Sequence, residues 1–348
     1  MSTNVQPSKS VNVAIVGLGF MGMTHIRAYQ QVPAARIVAV CDAVRLPVNG
    51  VLSGIAGNLA GGGSIQLGPE VKAYRGLEEM LANPEVELVD LCVPTPLHVP
   101  QAVAALKAGR HVICEKPLAR NGAMAGEIRR AAEAARGWIM PAMCMRFWPG
   151  WSWLKELVAQ QTYGRVLSAR FRRVSEPPGW SRDSYFKGDQ SGGALLDLHI
   201  HDTDFVQFLF GRPISVYSTG VTRFSGAVDH VVTQYKVACG AVVHAEGTWI
   251  LNQGHGFNMA YTVVFERATV DYDLSRGAEA LRVFEEGKGA TVRPCDGPDG
   301  YVGELRHMVE CIQQGVPPSV VTLRDGISAV EICEAEEKSV QTGQVVVL

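Results

Sequence analysis

The chain has 348 residues, 47% of them hydrophobic and 19% charged, and 32 basic against 34 acidic side chains leave a net charge of −2. That length supports two domains, and the near balance of charge gives no electrostatic basis for nucleic acid or an anionic membrane as a partner. No apolar run is long enough to span a bilayer, residues 1–10 lack the apolar centre of a secretory signal, and the eight cysteines are scattered without a C-x-x-C pair; a cytoplasmic protein with reduced thiols is expected.

Residues 11–16 form an almost unbroken, largely β-branched run, the pattern of a strand buried on both faces. The run ends at Gly17, Gly19 and Gly22, spaced G-x-G-x-x-G, and a mixed apolar and polar segment follows. Gly17 permits a tight turn, Gly19 lets the backbone approach a pyrophosphate, and Gly22 lets the next helix pack against the sheet. The amides of Phe20, Met21 and Gly22 at that helix start would hold the phosphates. A second strand over 36–42 closes on Asp42, twenty residues past Gly22, the separation at which a carboxylate meets a ribose 2′-hydroxyl. Strand, glycines, helix and acid together predict a dinucleotide site. A carboxylate repels a 2′-phosphate, so NAD is favoured, while Arg45 nearby keeps NADP open.

Residues 47–68 are glycine-rich and read as a loop, 74–81 as a short helix, and 87–93 as another buried strand. Pro94-Thr95-Pro96-Leu97-His98 follows at the C-terminal end of that strand, where ligands lie in open α/β sheets. Pro94, Thr95 and His98 are therefore candidate cofactor contacts, although His98 can equally just begin the helix read over 100–108. A strand at 111–114 opens onto Glu115-Lys116-Pro117, and a helix at 123–135 and a strand-like run at 138–147 complete the alternation. Such alternation predicts an α/β Rossmann domain with a doubly wound parallel sheet.

The second half differs. A tryptophan-bearing helix starts near 147, a strand runs over 164–174, and strand-like runs at 216–221, 228–238, 241–250, 259–265 and 268–272 have no helices between them. They predict an α+β domain with a large open, mostly antiparallel sheet. Helices over 304–313 and 325–342 finish the chain. The domains are placed at 1–146 and 147–348, with a C-terminal helix able to pack back on the first.

Glu115 and Lys116 sit where a Rossmann strand opens onto the cofactor. An ammonium there can hydrogen-bond a substrate oxygen and steady negative charge as an alcohol becomes a ketone. Residues 192–204, GGALLDLHIHDTD, continue into Phe205, Phe208 and Leu209 at helical spacing. On a helix Asp197 and His201 stand at i and i+4 and share a face, a general base with an orienting carboxylate. On a strand Asp197, His199 and His201 would line one face and could ligate a metal; the downstream spacing is helical, so no metal is expected.

In this order the G-L-G-x-M-G fingerprint, the T-P-x-x-H turn, E-K-P, the D-x-x-x-H helix start and the segment Ala335–Gln344, with its S-x-x-T-G-Q ending, resemble the glucose–fructose oxidoreductase/inositol dehydrogenase family. The likeness covers nearly the whole chain. It implies a Rossmann domain followed by an α+β domain whose open sheet packs on another subunit, and oxidation of a sugar or polyol hydroxyl. Lys116 then corresponds to the catalytic lysine, Asp197 to the substrate-domain acid and His201 to the proton acceptor. His199 stands where the family often has glycine, which puts a second imidazole near the site.

Substrate contacts are expected among Arg146, Trp148, Trp180 and His199, with Trp151, Arg170, Arg172, Arg182 and Tyr185 also flanking the site in sequence. Aromatic faces suit sugar rings and arginines suit carboxylates. The expected activity is NAD(P)-dependent hydride transfer from a secondary alcohol of a sugar, polyol or derivative. The alternatives are redox-neutral, NAD-dependent glycoside hydrolysis and a dinucleotide-sensing regulator on the same fold. A homodimer or homotetramer is expected, because the outer face of the second sheet would otherwise be a large apolar patch.

Overall fold

A computed structural model describes residues 10–55, 57, 63–179 and 185–348. They form two compact units. The first takes the described residues up to 119 together with 123–144 and 299–323, and the second takes 120–122, 145–298 and 324–348.

In the first unit the strands are β1 (Val11–Val16), β2 (Ala35–Cys41), a small β3–β4 pair (Val51–Leu52 and Ile65–Gln66), β5 (Lys72–Tyr74), β6 (Leu88–Leu91), β7 (His111–Glu115) and β8 (Ile139–Ala142). Six of them build one sheet in the order β5-β2-β1-β6-β7-β8, all parallel. This is the doubly wound order, with its reversal between β1 and β6. The apolar runs read from sequence are these central strands, and β6 and β8 are buried along their whole length. Helices α1 (Phe20–Tyr29), α2 (Leu77–Leu81), α3 (His98–Lys107) and α4 (Gly122–Ala134) connect them, although Gly122 itself belongs to the second unit. The expected helix over 74–81 is a strand ending at Tyr74 followed by a shorter helix. The run over 138–147 is a four-residue strand and then a 3-10 turn at Cys144–Arg146.

The second unit opens with α5 (Trp151–Gln160) and β9 (Val166–Val174), then α6 (Gly188–Ser191), a π-helical turn at Leu195–His199 and α7 (Ile200–Phe210). Strands β10 (Ser215–Val221), β11 (His230–Lys236), β12 (Val242–Thr248), β13 (Asn258–Phe265), β14 (Ala268–Asp273), β15 (Leu281–Glu285) and β16 (Ala290–Arg293) follow. Helix α8 (Gly300–Gln314) lies in the first unit, while α9 (Leu323–Thr342), from Arg324 onward, and β17 (Val346–Val347) close the second. The nine-stranded sheet runs β16-β15-β14-β13-β9-β12-β11-β10-β17 and is antiparallel at every pair given except β12–β9.

Trp151 anchors the core of this unit. Its side chain is fully buried, edge-on to Phe205 at 4.9 Å, to Tyr261 at 5.1 Å and to Tyr272 at 6.0 Å, with Phe171 at 6.1 Å. One residue from each of α7, β13, β14 and β9 thus meets on a single indole. The opposite face of the sheet corrects the expectation of an apolar patch. Gln234, His244, Arg170, Thr262 and Asp271 pair in register across five strands, and Glu246 accepts from Arg172 at 3.3 Å. Val232 and Val242 are exposed among them, so that face is mixed rather than apolar. Trp151→Ala is expected to cost about 3–5 kcal/mol, read as a lower urea midpoint with near-UV circular dichroism lost in the same transition.

Candidate active site

The glycines at the end of β1 show why the fingerprint takes its form. Gly17 has φ +89°, and a Cβ there would lie 2.4 Å from the Cys92 carbonyl oxygen at the end of β6. A Cβ on Gly22 would lie 1.9 Å from the Gly17 carbonyl oxygen, so α1 seats directly on the turn. Around Gly19, which caps α1, no atom of the described residues lies within 4 Å in that direction. The first turn of α1 carries no acidic residue and no side-chain cap, and Phe20 and Met21 reach the surface. Unfilled amides at a positive helix end beside open space fit a pyrophosphate.

Asp42 stands at the end of β2 and is half-buried. Its Oδ2 accepts from the Leu18 amide at 2.8 Å and its Oδ1 from the Val44 and Arg45 amides at 2.8 Å each. Arg45 donates to the Leu18 carbonyl at 2.5 Å, so carboxylate and guanidinium flank the same glycine turn.

After β6, Pro94 is exposed and Thr95 half-buried at the start of a 3-10 turn. His98 departs from the expected cofactor contact. It begins α3, is 1% exposed, and has Nδ1 2.7 Å from the Pro117 carbonyl and Nε2 2.7 Å from the Val93 carbonyl. Burial holds its pKa below the usual value, against the pull of both carbonyls. Its ring ties the turn after β6 to the turn after β7 and presents nothing to a ligand. Glu115 is also buried: its Oε2 accepts from the Lys116 amide at 3.0 Å, and only Lys116 of the pair reaches the surface.

In the second unit Gly192 and Gly193 have φ +77° and +68°, and a Cβ on Gly193 would lie 2.5 Å from the Val228 carbonyl oxygen. The chain then enters the π-helical turn. Such turns are rare and concentrate at functional sites. Between Ser191 and Gln207, Asp197 and His201 are the two residues that are not buried. His199, offered as a substrate contact, is fully buried. Its Nε2 lies 3.0 Å from the Tyr235 hydroxyl and 3.4 Å from Glu336 Oε2, and Gly247 makes room for its ring.

Arg146 is also turned inward. It is 4% exposed and gives Asp204 two hydrogen bonds, of 2.9 and 2.7 Å, with Asp325 at 3.2 Å. Trp148 is half-buried and hydrogen-bonds the Tyr272 side chain. Of the flanking residues, Trp151 is core, Arg170 and Arg172 lie on the outer sheet face, and Tyr185 packs on Trp249. Trp180 and Arg182 lie outside the described residues.

Sequence reading missed the buried groups that hold these positions. Asp229 is fully buried and accepts from the Arg223, Phe224 and Ser225 amides, from the Ser225 hydroxyl and from Trp249 Nε1. Burial raises its pKa, yet the Ser225 hydroxyl and the backbone donors outweigh that and hold it below the usual carboxylate range. A depressed folded-state value stabilises above the unfolded pKa near 4 and loses that stabilisation as pH falls through the folded value. Asp229→Asn is expected to cost about 1–3 kcal/mol at pH 7, with the gap to the parent closing in acid, as chemical melts from pH 7 to pH 3 would show. Among the glycines, Gly22→Ala should lose both Tm and NADH binding. Gly19→Ala should keep Tm and weaken NADH binding alone, which thermal melts and fluorescence titration separate.

Comparison with known proteins agrees with this geometry. Residues 11–142 match the oxidoreductase family with NAD-binding Rossmann fold, and residues 151–271 match the GFO/IDH/MocA C-terminal domain. The chain is 27% identical over 349 residues to inositol 2-dehydrogenase of Rubrobacter xylanophilus, covering 97% of this chain and 92% of that one. Against levoglucosan dehydrogenase of Pseudarthrobacter phenanthrenivorans it is 28% identical over 282 residues, covering 72% and 70%. A solved structure of levoglucosan dehydrogenase in complex with NADH superposes with a TM-score of 0.80 at 23% identity, over 97% of this chain and 99% of that one, a likeness of fold. The chain belongs to the GFO/IDH/MocA family and is an oxidoreductase with an NAD-binding Rossmann domain.

Proposed function

We propose that the protein oxidises a secondary alcohol of a sugar, polyol or sugar derivative, with Lys116, Asp197 and His201 as its chemical groups. The observation that carries this reading is the selective exposure of the second motif: Asp197 and His201 alone emerge from an otherwise buried stretch between Ser191 and Gln207. A general base must reach its proton, and a carboxylate one helical turn away orients it. Lys116, half-buried at the C-terminal end of β7, stands where ligands lie in doubly wound sheets. Bound NAD supplies the hydride acceptor. His201, oriented by Asp197, takes the hydroxyl proton, while the Lys116 ammonium donates to the reacting oxygen and steadies its developing charge.

Gly17, Gly19 and Gly22, with the amides of Phe20 and Met21, hold the pyrophosphate, and Asp42 receives the ribose hydroxyls. Pro94 and Thr95 border the cofactor. Asp42 favours NAD over NADP for the charge reason given above. Trp148 is the substrate contact that remains from the sequence candidates within the described residues. Arg146, His199, Arg170 and Arg172 have other places, so among the described residues these three arginines offer no support for an acidic substrate. Oxidation of inositol or levoglucosan by relatives with those names supports the substrate class.

We further propose a homo-oligomer that pairs through the mixed outer face of the nine-stranded sheet. A cytoplasmic location accords with eight cysteines outside any disulfide and with the lack, among described residues, of a helix long and apolar enough to cross a membrane.

A screen of inositols, sugars and anhydrosugars with added NAD, followed by NADH fluorescence, tests the activity. Lys116→Met should lose turnover by about 10²-fold or more while NADH affinity stays unchanged. Unchanged turnover in that variant ends this assignment. No NADH from any alcohol, with stoichiometric NAD released on denaturation, would point to redox-neutral glycoside hydrolysis.

A further inference from the structure

The first unit holds a group of ionisable side chains that the proposed chemistry does not use. His25 on α1 is fully buried, with Nδ1 2.8 Å from Asp90 Oδ2 on β6 and Nε2 3.1 Å from Glu115 Oε1 on β7. A third carboxyl, Glu304 on α8, brings its Oε1 to 3.8 Å from the same Nε2. Glu304 is also fully buried, and neither of its carboxyl oxygens has a hydrogen-bond partner among the described residues. Tyr29 of α1, Cys92 just after β6, Cys114 of β7 and Tyr301 of α8 surround these four, with Asp299 at the start of α8, Cys144 beyond Tyr301, and His98 and Lys116 on the side of Glu115.

Charge balance limits what this cluster can be. Asp90 and Glu115 each face one imidazole nitrogen: Nδ1 hydrogen-bonds Asp90, while Nε2 stands at ion-pair distance from Glu115 with no hydrogen-bond partner among the described residues. An imidazolium between two buried carboxylates is the charge state that offsets them. Three ionised carboxyls around one imidazolium would leave two buried negative charges, which desolvation forbids when a proton is available. Glu115 has a hydrogen-bond donor in the Lys116 amide, and Glu304 has none among the described residues. The proton therefore belongs on Glu304. One negative charge remains beside Glu115, and the adjoining cation in the chain is Lys116.

We propose that Asp90, His25, Glu115 and Glu304 form a buried positioning network that holds Lys116 in place and keeps it an ammonium, with Glu304 resident as the neutral acid. Glu115 does the final step, since its carboxylate grips the Lys116 backbone amide on one side and meets His25 on the other. The electrostatics run the same way. Burial pushes Glu304 far above the carboxylate range, with Glu115 and Asp90 adding to it against His25. Burial lowers His25, but Asp90 and the Cys92 thiol more than reverse that. Burial would raise Glu115, yet its contact with His25 holds it low.

The network's catalytic purpose rests on the role proposed for Lys116, whereas its charge state does not. The test is NMR on the full chain without added substrate. Carboxyl-13C glutamate, assigned with Glu304→Gln, should show Glu304 still protonated at pH 7. 13C-lysine, assigned with Lys116→Met, gives the Lys116 titration. Glu115→Gln should lower that titration by about one unit or more, Glu115→Asp should restore it, and Glu304→Gln, which replaces a neutral acid by its amide, should leave it in place. The alkaline limb of the kcat/KM profile should move with the lysine. A Glu304 carboxyl that titrates like a free glutamate, or a Lys116 titration indifferent to Glu115→Gln, overturns the network. If the lysine titration moves and the rate profile does not, the network stands and the catalytic assignment of Lys116 falls. Tm and NADH affinity report whether each variant is folded.

Discussion

Much of the first unit depends on one close approach, the seat of α1 against the Gly17 carbonyl, which only a residue without a side chain at position 22 allows. That contact sets both the distance and the rotation of the helix. Its first amides face the opening beyond β1, and three residues further on, on the same side, His25 drops between β6 and β7. A helix placed a little further out would leave Asp90 and Glu115 buried without a cation, an expensive arrangement in a low dielectric. The glycine fingerprint and the buried imidazole are therefore two results of one packing constraint.

The second unit solves a similar problem with ion pairs. Along α7, Asp202 takes two bonds from Arg173, Thr203 reaches Glu336 and the Tyr235 hydroxyl, and Asp204 takes two from Arg146. Three consecutive residues with internal partners leave little freedom in the rotation of the helix. Buried pairs of this kind add little over apolar residues of the same volume, but loss of one partner strands a charge. Their geometric consequence is that Asp197 and His201 fall on the side left over. His199 is drawn inward by Tyr235 and Glu336, which separates two imidazoles only two residues apart.

The legible parts of the sequence were those in which a local pattern carries its own reason. Alternating strand and helix, the glycine spacing and Asp42 at the end of β2 all follow from short-range chemistry, and the fold class follows from them. The failures have a common cause. Arg146, His199 and His98 are polar residues beside a site, and proximity in sequence does not tell whether a polar side chain turns outward or is satisfied within. Glu304 left one signal: it shares a helical face with Met308 and Cys311, an acid on an otherwise apolar stripe. Asp229 left none, because its donors come from a loop that forms only when β10 and β11 pair.

By itself the amino-acid order determined the Rossmann topology, the dinucleotide site and the two motifs that supply a lysine and a carboxylate–histidine pair, since backbone periodicity and glycine stereochemistry are properties of neighbours along the chain. Only the tertiary structure decided that α8 joins the first unit, that the outer face of the second sheet is mixed, and which histidines, arginines and acids are internal. Those outcomes turn on the desolvation of charged groups, and whether a charge finds its partner depends on residues up to some two hundred and eighty positions away, such as Glu304 facing His25.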